Sequence, residues 1–156
     1  MYKKILVPLD GSSLSEVALA HACVLAKALQ AQVLLLRVVV FPDQDLGDIP
    51  IAYAASPEVL AEMKRYLEHA AAELRRVGVT VTCYAISGRI ADTILDFAEQ
   101  YHVDLIVMST HGSAAALRWL MGSIADKVIH SARVPVLLIR ENKKSKTSYL
   151  TVLQKR

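Results

Sequence analysis

Asp104-Leu105-Ile106-Val107-Met108 is an uninterrupted apolar run behind one acid, and Ser109-Thr110-His111-Gly112 follows it directly. A run of that length and composition reads as a strand buried on both faces, which is the signature of a parallel sheet. The small-residue turn then opens at the strand's C-terminal end, where open α/β sheets take their ligands. After nine more residues, Ser113 to Met121, Gly122-Ser123 supplies a second small-residue turn at the expected start of a helix. The two turns together read as an anion cradle, with backbone amides and a helix N-terminus as donors.

Outward from that run, apolar periodicity alternates between continuous stretches and helical spacing. Strands are predicted at 4–9, 32–39, 79–84, 104–108 and 135–139. Helices are predicted at 14–30, 57–77, 89–101 and from about 117 or 123 to 131. Such alternation specifies an α/β fold, a single open five-stranded parallel sheet with helices on both faces, Rossmann-like in architecture. Ser13-Leu14-Ser15-Glu16 reads as a capping box for the first helix, whose apolar positions Leu14, Ala18, Leu25 and Leu29 share a face. The second helix opens with Ser56 at its N-cap and Pro57 behind it, carries Leu60, Met63, Leu67, Leu74 and Val77 on one face, and is stopped by Gly78. The connection 41–55 has no period and is rich in Pro, Gly and Asp, so a mobile excursion over the site edge, disordered or a lid, is expected there.

At 156 residues the chain is expected to form one domain over 1–141, followed by a basic tail over 142–156. Its apolar fraction of 54% comes in runs far shorter than the roughly 18 residues that a membrane span needs. The start, Met1-Tyr2-Lys3-Lys4 before a short apolar strand, lacks the core and cleavage site of a signal peptide. Cys23 and Cys83 form no CxxC and read as buried apolar side chains in a reducing compartment, so a cytoplasmic location is expected. The net charge of +3 is owed largely to Lys143, Lys144, Lys146, Lys155 and Arg156 in the tail. No strand interleaves aromatic with basic residues, which argues against nucleic acid as a partner.

Asp10-Gly11-Ser12 follows the first strand. With strand order 3-2-1-4-5, strands one and four lie side by side and open a crevice between their C-terminal ends. Asp10 would then accept from a ribose hydroxyl or an adenine amine, while amides around Gly112, Gly122 and Ser123 receive phosphates. Ordinary turn chemistry and helix capping explain each of these residues singly. His111 has no nucleophile or carboxylate at a triad spacing. There is no GxxxxGK[ST], no GxGxxG after the first strand and no HExxH. Arg118 and Lys127 near the loop read as solvated helix charges, and Asp126 as a first-turn acid favoured by the helix dipole.

These residues resemble the universal stress proteins, in the nucleotide-binding branch whose motif is G-x2-G-x9-G-[ST]. The match runs from residue 2 to 140 and includes Ile5-Leu6-Val7-Pro8-Leu9-Asp10-Gly11-Ser12 at the start and Val134-Pro135-Val136-Leu137-Leu138-Ile139 at the end. Ser109 stands where the motif has its first glycine, and Ser113 where many relatives carry a basic residue, which favours a mono- or diphosphate over a triphosphate. The resemblance implies the adenine nucleotide alpha hydrolase-like variant of the fold. It also implies Pro8, Leu9, Asp10, Val39 and Met108 around an adenine, and Ser109, His111, Gly112, Gly122, Ser123 and Ile124 on ribose and phosphates. The implied ligand is ATP, ADP or AMP, with or without Mg, and the implied assembly is a homodimer through the last strand. The expected function is a dimeric stress-response or energy-sensing module that binds adenine nucleotide and acts through an unidentified protein partner. The alternatives are a slow ATP hydrolase and a nucleotide-free interaction protein.

Overall fold

The computed structural model describes residues 2–39, 56–110 and 122–140. In chain order they form β1 (Lys4–Pro8), α1 (Ser13–Leu29), β2 (Gln32–Val39), α2 (Pro57–Arg76), β3 (Val81–Ser87), α3 (Ile90–Gln100), β4 (Leu105–Ser109), α4 (Ser123–Ser131) and β5 (Val136–Ile139). The sheet order is β3-β2-β1-β4-β5 and every pairing is parallel. This is the expected architecture.

Alternation along each strand splits the apolar side chains between two cores. Ile5, Val7, Val33, Leu35, Leu105 and Val107 face α1 and α2, whereas Leu6, Leu34, Leu36, Ile106 and Met108 face α3 and α4. The central position of β1 leaves Ile5, Leu6 and Val7 wholly buried, each stabilising the fold by about 2 kcal/mol. Against that sheet α1 does not present the leucines expected of it. Its buried stripe is Ser15, Ala18, Leu19, Ala22, Cys23 and Ala26, all but Leu19 small residues that let the helix approach the sheet closely, while Leu25 and Leu29 are only half-buried at its margin. In α2 the buried face is Leu67, Ala70, Ala71 and Leu74.

Several boundaries differ from the sequence reading for local reasons. The N-cap of α1 is Ser12, whose side chain accepts from the Ser15 amide at 3.1 Å. Ser13 is therefore already helical, and the Glu16 carboxylate accepts from the Tyr66 hydroxyl at 2.9 Å instead of closing a capping box. Ser56 caps α2 as expected, and Gly78 follows its end with φ +87°. The Val79 amide is bonded to the Leu74 carbonyl at the helix exit, so β3 begins at Val81, and its ladder with β2 carries it on to Ser87. β4 begins one residue late because Asp104 has another task. Its Oδ2 accepts from the amides of Lys3 at 2.7 Å and Lys4 at 2.9 Å, joining the start of β1 to β4. Cys23 is buried, but Cys83 is only half-buried beside Glu68 and Arg75. The expected excursion at 41–55 and the tail at 142–156 lie outside the described residues.

Candidate nucleotide-binding edge

Three chain segments meet at the C-terminal edge of the sheet. The first follows β1. The Leu9 amide donates to the Leu36 carbonyl at 2.8 Å, fixing the strand's end against β2. Asp10 then accepts through Oδ1 from the Ser12 amide at 2.9 Å and the Ser12 hydroxyl at 2.6 Å, a tight turn that starts α1. Ser15 is buried; its hydroxyl donates to the Ser12 carbonyl at 2.9 Å. Gly11 has φ +87°, a backbone conformation that favours glycine. Asp10 itself is exposed at the edge.

The second segment follows β4. Ile5 and Leu6 pair with Leu105 and Ile106, and continuing that register brings Pro8 level with Met108. Met108 is buried in the core under α3 and α4. Ser109 belongs to the strand and pairs with Ile139. The Thr110 amide donates to the Ile139 carbonyl at 3.0 Å, and the Thr110 carbonyl accepts from the Gly122 amide at 2.9 Å. Thr110 and Gly122 are thus tied together beside β4, and segment 111–121 runs between them in sequence. His111 and Gly112 fall inside that segment, outside the described residues.

Gly122 is the N-cap of α4, with φ −60° and no side-chain cap. The Asp126 amide is the first of the helix to close on a helix carbonyl, that of Gly122 at 2.9 Å. The amides of Ser123, Ile124 and Ala125 precede that ladder, the arrangement that receives anions at helix N-termini. Of the flanking charges, Lys127 is engaged with Asp92 of α3 at 2.6 Å, and Asp126 with His130 at 3.6 Å. Arg118 lies outside the described residues. Among the described residues no group of three or more His, Cys, Asp or Glu side chains is placed to hold a metal ion.

The third segment is the end of β2, with Val39 half-exposed and its carbonyl accepting from the Gly88 amide at 2.9 Å. Here the sequence reading overlooked Arg37. Its guanidinium carbon lies 4.9 Å from the centroid of Tyr66 on α2. A Cβ built on Gly11 would lie 2.9 Å from its Nη2, 3.1 Å from Cζ and 3.2 Å from Nη1. Burial, reinforced by the Glu16 carboxylate, pushes the Tyr66 phenol well above its usual range, so the ring stays neutral beneath the cation. The only sequence signal was one cation interrupting the apolar run Val33-Leu34-Leu35-Leu36-Arg37-Val38-Val39.

A hollow of about 440 Å³ also lies at the opposite edge of the sheet, between the ends of α3 and α4. Three of the charged side chains that line it are already engaged. Glu99 pairs with Arg133 at 2.6 Å, and the Asp104 carboxylate holds the β1 amides.

Residues 1–140 match the profile of the Universal stress protein family. The chain belongs to this family. Universal stress protein MJ0531 of Methanocaldococcus jannaschii is 35% identical over 150 residues, covering 92% of this chain and 85% of the relative. The solved structure of MJ0577 from the same organism superposes with a TM-score of 0.78 at 30% identity, covering 91% of this chain and 98% of that one. A universal stress protein from Archaeoglobus fulgidus, solved in complex with dAMP, superposes with a TM-score of 0.65 at 25% identity over 88% of this chain and 98% of that one. Among the described residues, no helix of this family member is long and apolar enough to cross a membrane.

Proposed function

We propose that this universal stress protein binds an adenine nucleotide, ATP, ADP or AMP, at the C-terminal edge of its sheet. In this reading it works as a binding module in a stress or energy response and not primarily as an enzyme. The observation that carries the reading is the convergence of the Asp10–Ser12 turn, the end of β4 and the open amides of α4 on one edge. The dAMP bound by the Archaeoglobus fulgidus relative supports it. Pro8, Leu9, Asp10, Val39 and Met108 take the adenine side. Ser109, His111, Gly112, Gly122, Ser123 and Ile124 take ribose and phosphates. Any Mg is brought by the phosphates, since the described carboxylates form no cluster of their own.

A homodimer through β5 is part of the proposal. β5 is an edge strand of the sheet, and Leu137 on it is 37% exposed, a combination that invites association if left uncovered. The location proposed is cytoplasmic.

The test begins with the purified protein. Denaturing it and identifying the released small molecules by mass spectrometry should recover an adenine nucleotide, and calorimetry should show binding of added ATP, ADP or AMP. Gly122→Val is compatible with the backbone at φ −60°, yet puts a branched side chain among the anion-facing amides. It should abolish binding while leaving the far-UV circular dichroism unchanged. A protein that is empty and binds none of the three nucleotides, or a Gly122→Val variant of full affinity, overturns the reading.

A further inference from the structure

Arg37 is placed unlike a solvated surface arginine. It follows Leu36, which pairs with Pro8, so it stands at the level where β1 gives way to the Asp10 turn. Nη2, Cζ and Nη1 are nearly equidistant from the direction of a Gly11 Cβ, so Gly11 meets the guanidinium on its face. Tyr66 lies 4.9 Å from the guanidinium carbon. The cation therefore sits over the Tyr66 ring with Gly11 against its face, contacts that leave N–H donors on its edges. Among the described residues those donors have no hydrogen-bond or ion-pair partner, although four other Lys or Arg ion pairs form there. An arginine seated between such neighbours, with its fork open, is prepared for bidentate recognition of a phosphate or carboxylate.

Its position also says which phosphate. The open amides of α4 lie beyond β4, and Arg37 lies on β2, with β1 between them. Two strand spacings separate the two anion-seeking groups by at least roughly 10 Å along the edge, and they approach it from opposite faces of the sheet. The contiguous phosphates of one 5′ chain, gathered at the α4 amides, leave the β2 side to the rest of the nucleotide. We infer that Arg37 is a specificity-determining residue that recognises a second phosphate carried on the ribose, so that the preferred ligands are adenine nucleotides phosphorylated at the 2′ or 3′ position as well as the 5′. This inference rests on the adenine-nucleotide reading above and selects the ligand within it.

Calorimetric titration of AMP, adenosine 2′,5′-bisphosphate and adenosine 3′,5′-bisphosphate into the wild-type protein, Arg37→Met and Arg37→Lys tests it. One charge-assisted contact should make one of the bisphosphates bind about tenfold tighter than AMP to the wild type. In Arg37→Met, which keeps an apolar stem against Tyr66, that ratio should fall to about one, and Arg37→Lys should give an intermediate value. Wild-type protein that binds AMP but neither bisphosphate more tightly overturns the inference and leaves the nucleotide reading standing. A preference that persists unchanged in Arg37→Met also overturns it. Should Arg37→Met lose its circular dichroism signal, the wild-type ratio and Arg37→Lys decide. Absence of all binding, AMP included, is the failure of the nucleotide reading, and the Arg37 inference falls with it.

Discussion

Gly11 and Gly78 form a matched pair for measuring what the Arg37 contact is worth. Both are exposed and both have φ +87°. A Cβ at Gly78 meets nothing within 4 Å, whereas one at Gly11 meets the Arg37 guanidinium at 2.9 to 3.2 Å. Alanine at Gly78 should therefore carry only the conformational penalty of a left-handed L-residue, about 1 to 2 kcal/mol. Alanine at Gly11 carries that penalty and must also displace the guanidinium. Because the guanidinium ends a flexible side chain, it can move away, and what is lost is its cation–π contact with Tyr66, about 0.5 to 1 kcal/mol. Urea denaturation at one protein concentration should show Gly11→Ala more destabilised than Gly78→Ala by that difference, with equal m-values. In an Arg37→Met background the two glycine substitutions should become equivalent, since a coupling between neighbours disappears when one partner is removed. Equal effects of the two substitutions in the wild-type background would refute the contact, and so would a difference that survives in Arg37→Met.

The Asp104 clamp predicts a pH signature. The amides of Lys3 first, and then Lys4, hold its carboxyl below the usual aspartate range, so its stabilisation is complete above the ordinary value of about 3.9 and fades as pH falls through the lower folded-state value. Asp104→Asn should lower stability by about 1 to 2 kcal/mol at neutral pH, with the gap from wild type narrowing in urea titrations as the pH falls below the ordinary aspartate range; a gap constant with pH would contradict the clamp. Burial pushes the Cys83 thiol up to about 11, with Glu68 adding to the shift, and burial raises Cys23 against the opposing charge of Lys27. Neither thiol should react promptly with Ellman's reagent in the native protein at pH 7.5, and both should react in denaturant; a fast native phase would show the burial to be wrong. On β5, Leu138 packs against the core under α3 and α4 while Leu137 faces outward. If β5 forms the dimer, Leu137→Lys should give a folded monomer by light scattering, whereas Leu138→Lys should lower the melting temperature; an intact Leu137→Lys dimer would move the interface elsewhere.

The parts of the fold that could be read from the chain are those that depend on local spacing. The runs Ile5-Leu6-Val7 and Ile106-Val107-Met108 announce burial on both faces by being apolar at every position, and Gly78 and Ser56 mark helix ends by their own chemistry. What was misread depends on partners remote in sequence. Glu16 fits a capping box by spacing, but Tyr66, fifty positions on, is the group it bonds. The leucines of α1 look like its core face, yet a helix lying close over two central strands needs alanines there, and only the assembled sheet says how close it lies.

Arg37 shows the same limit at the candidate site. In the chain it is one charge in an apolar strand. Only the parallel pairing of β1 with β2 carries it to Gly11, and only the packing of α2 brings Tyr66 beneath it. A motif searched for along one loop finds the amides of that loop, because glycine and serine spacing encodes backbone geometry. It cannot find a cation delivered from the neighbouring strand, whose placement is encoded in sheet register. If Arg37 selects the ligand as proposed, the Gly122-Ser123 turn alone does not define it, since sheet register sets position 37 at the edge independently of that turn.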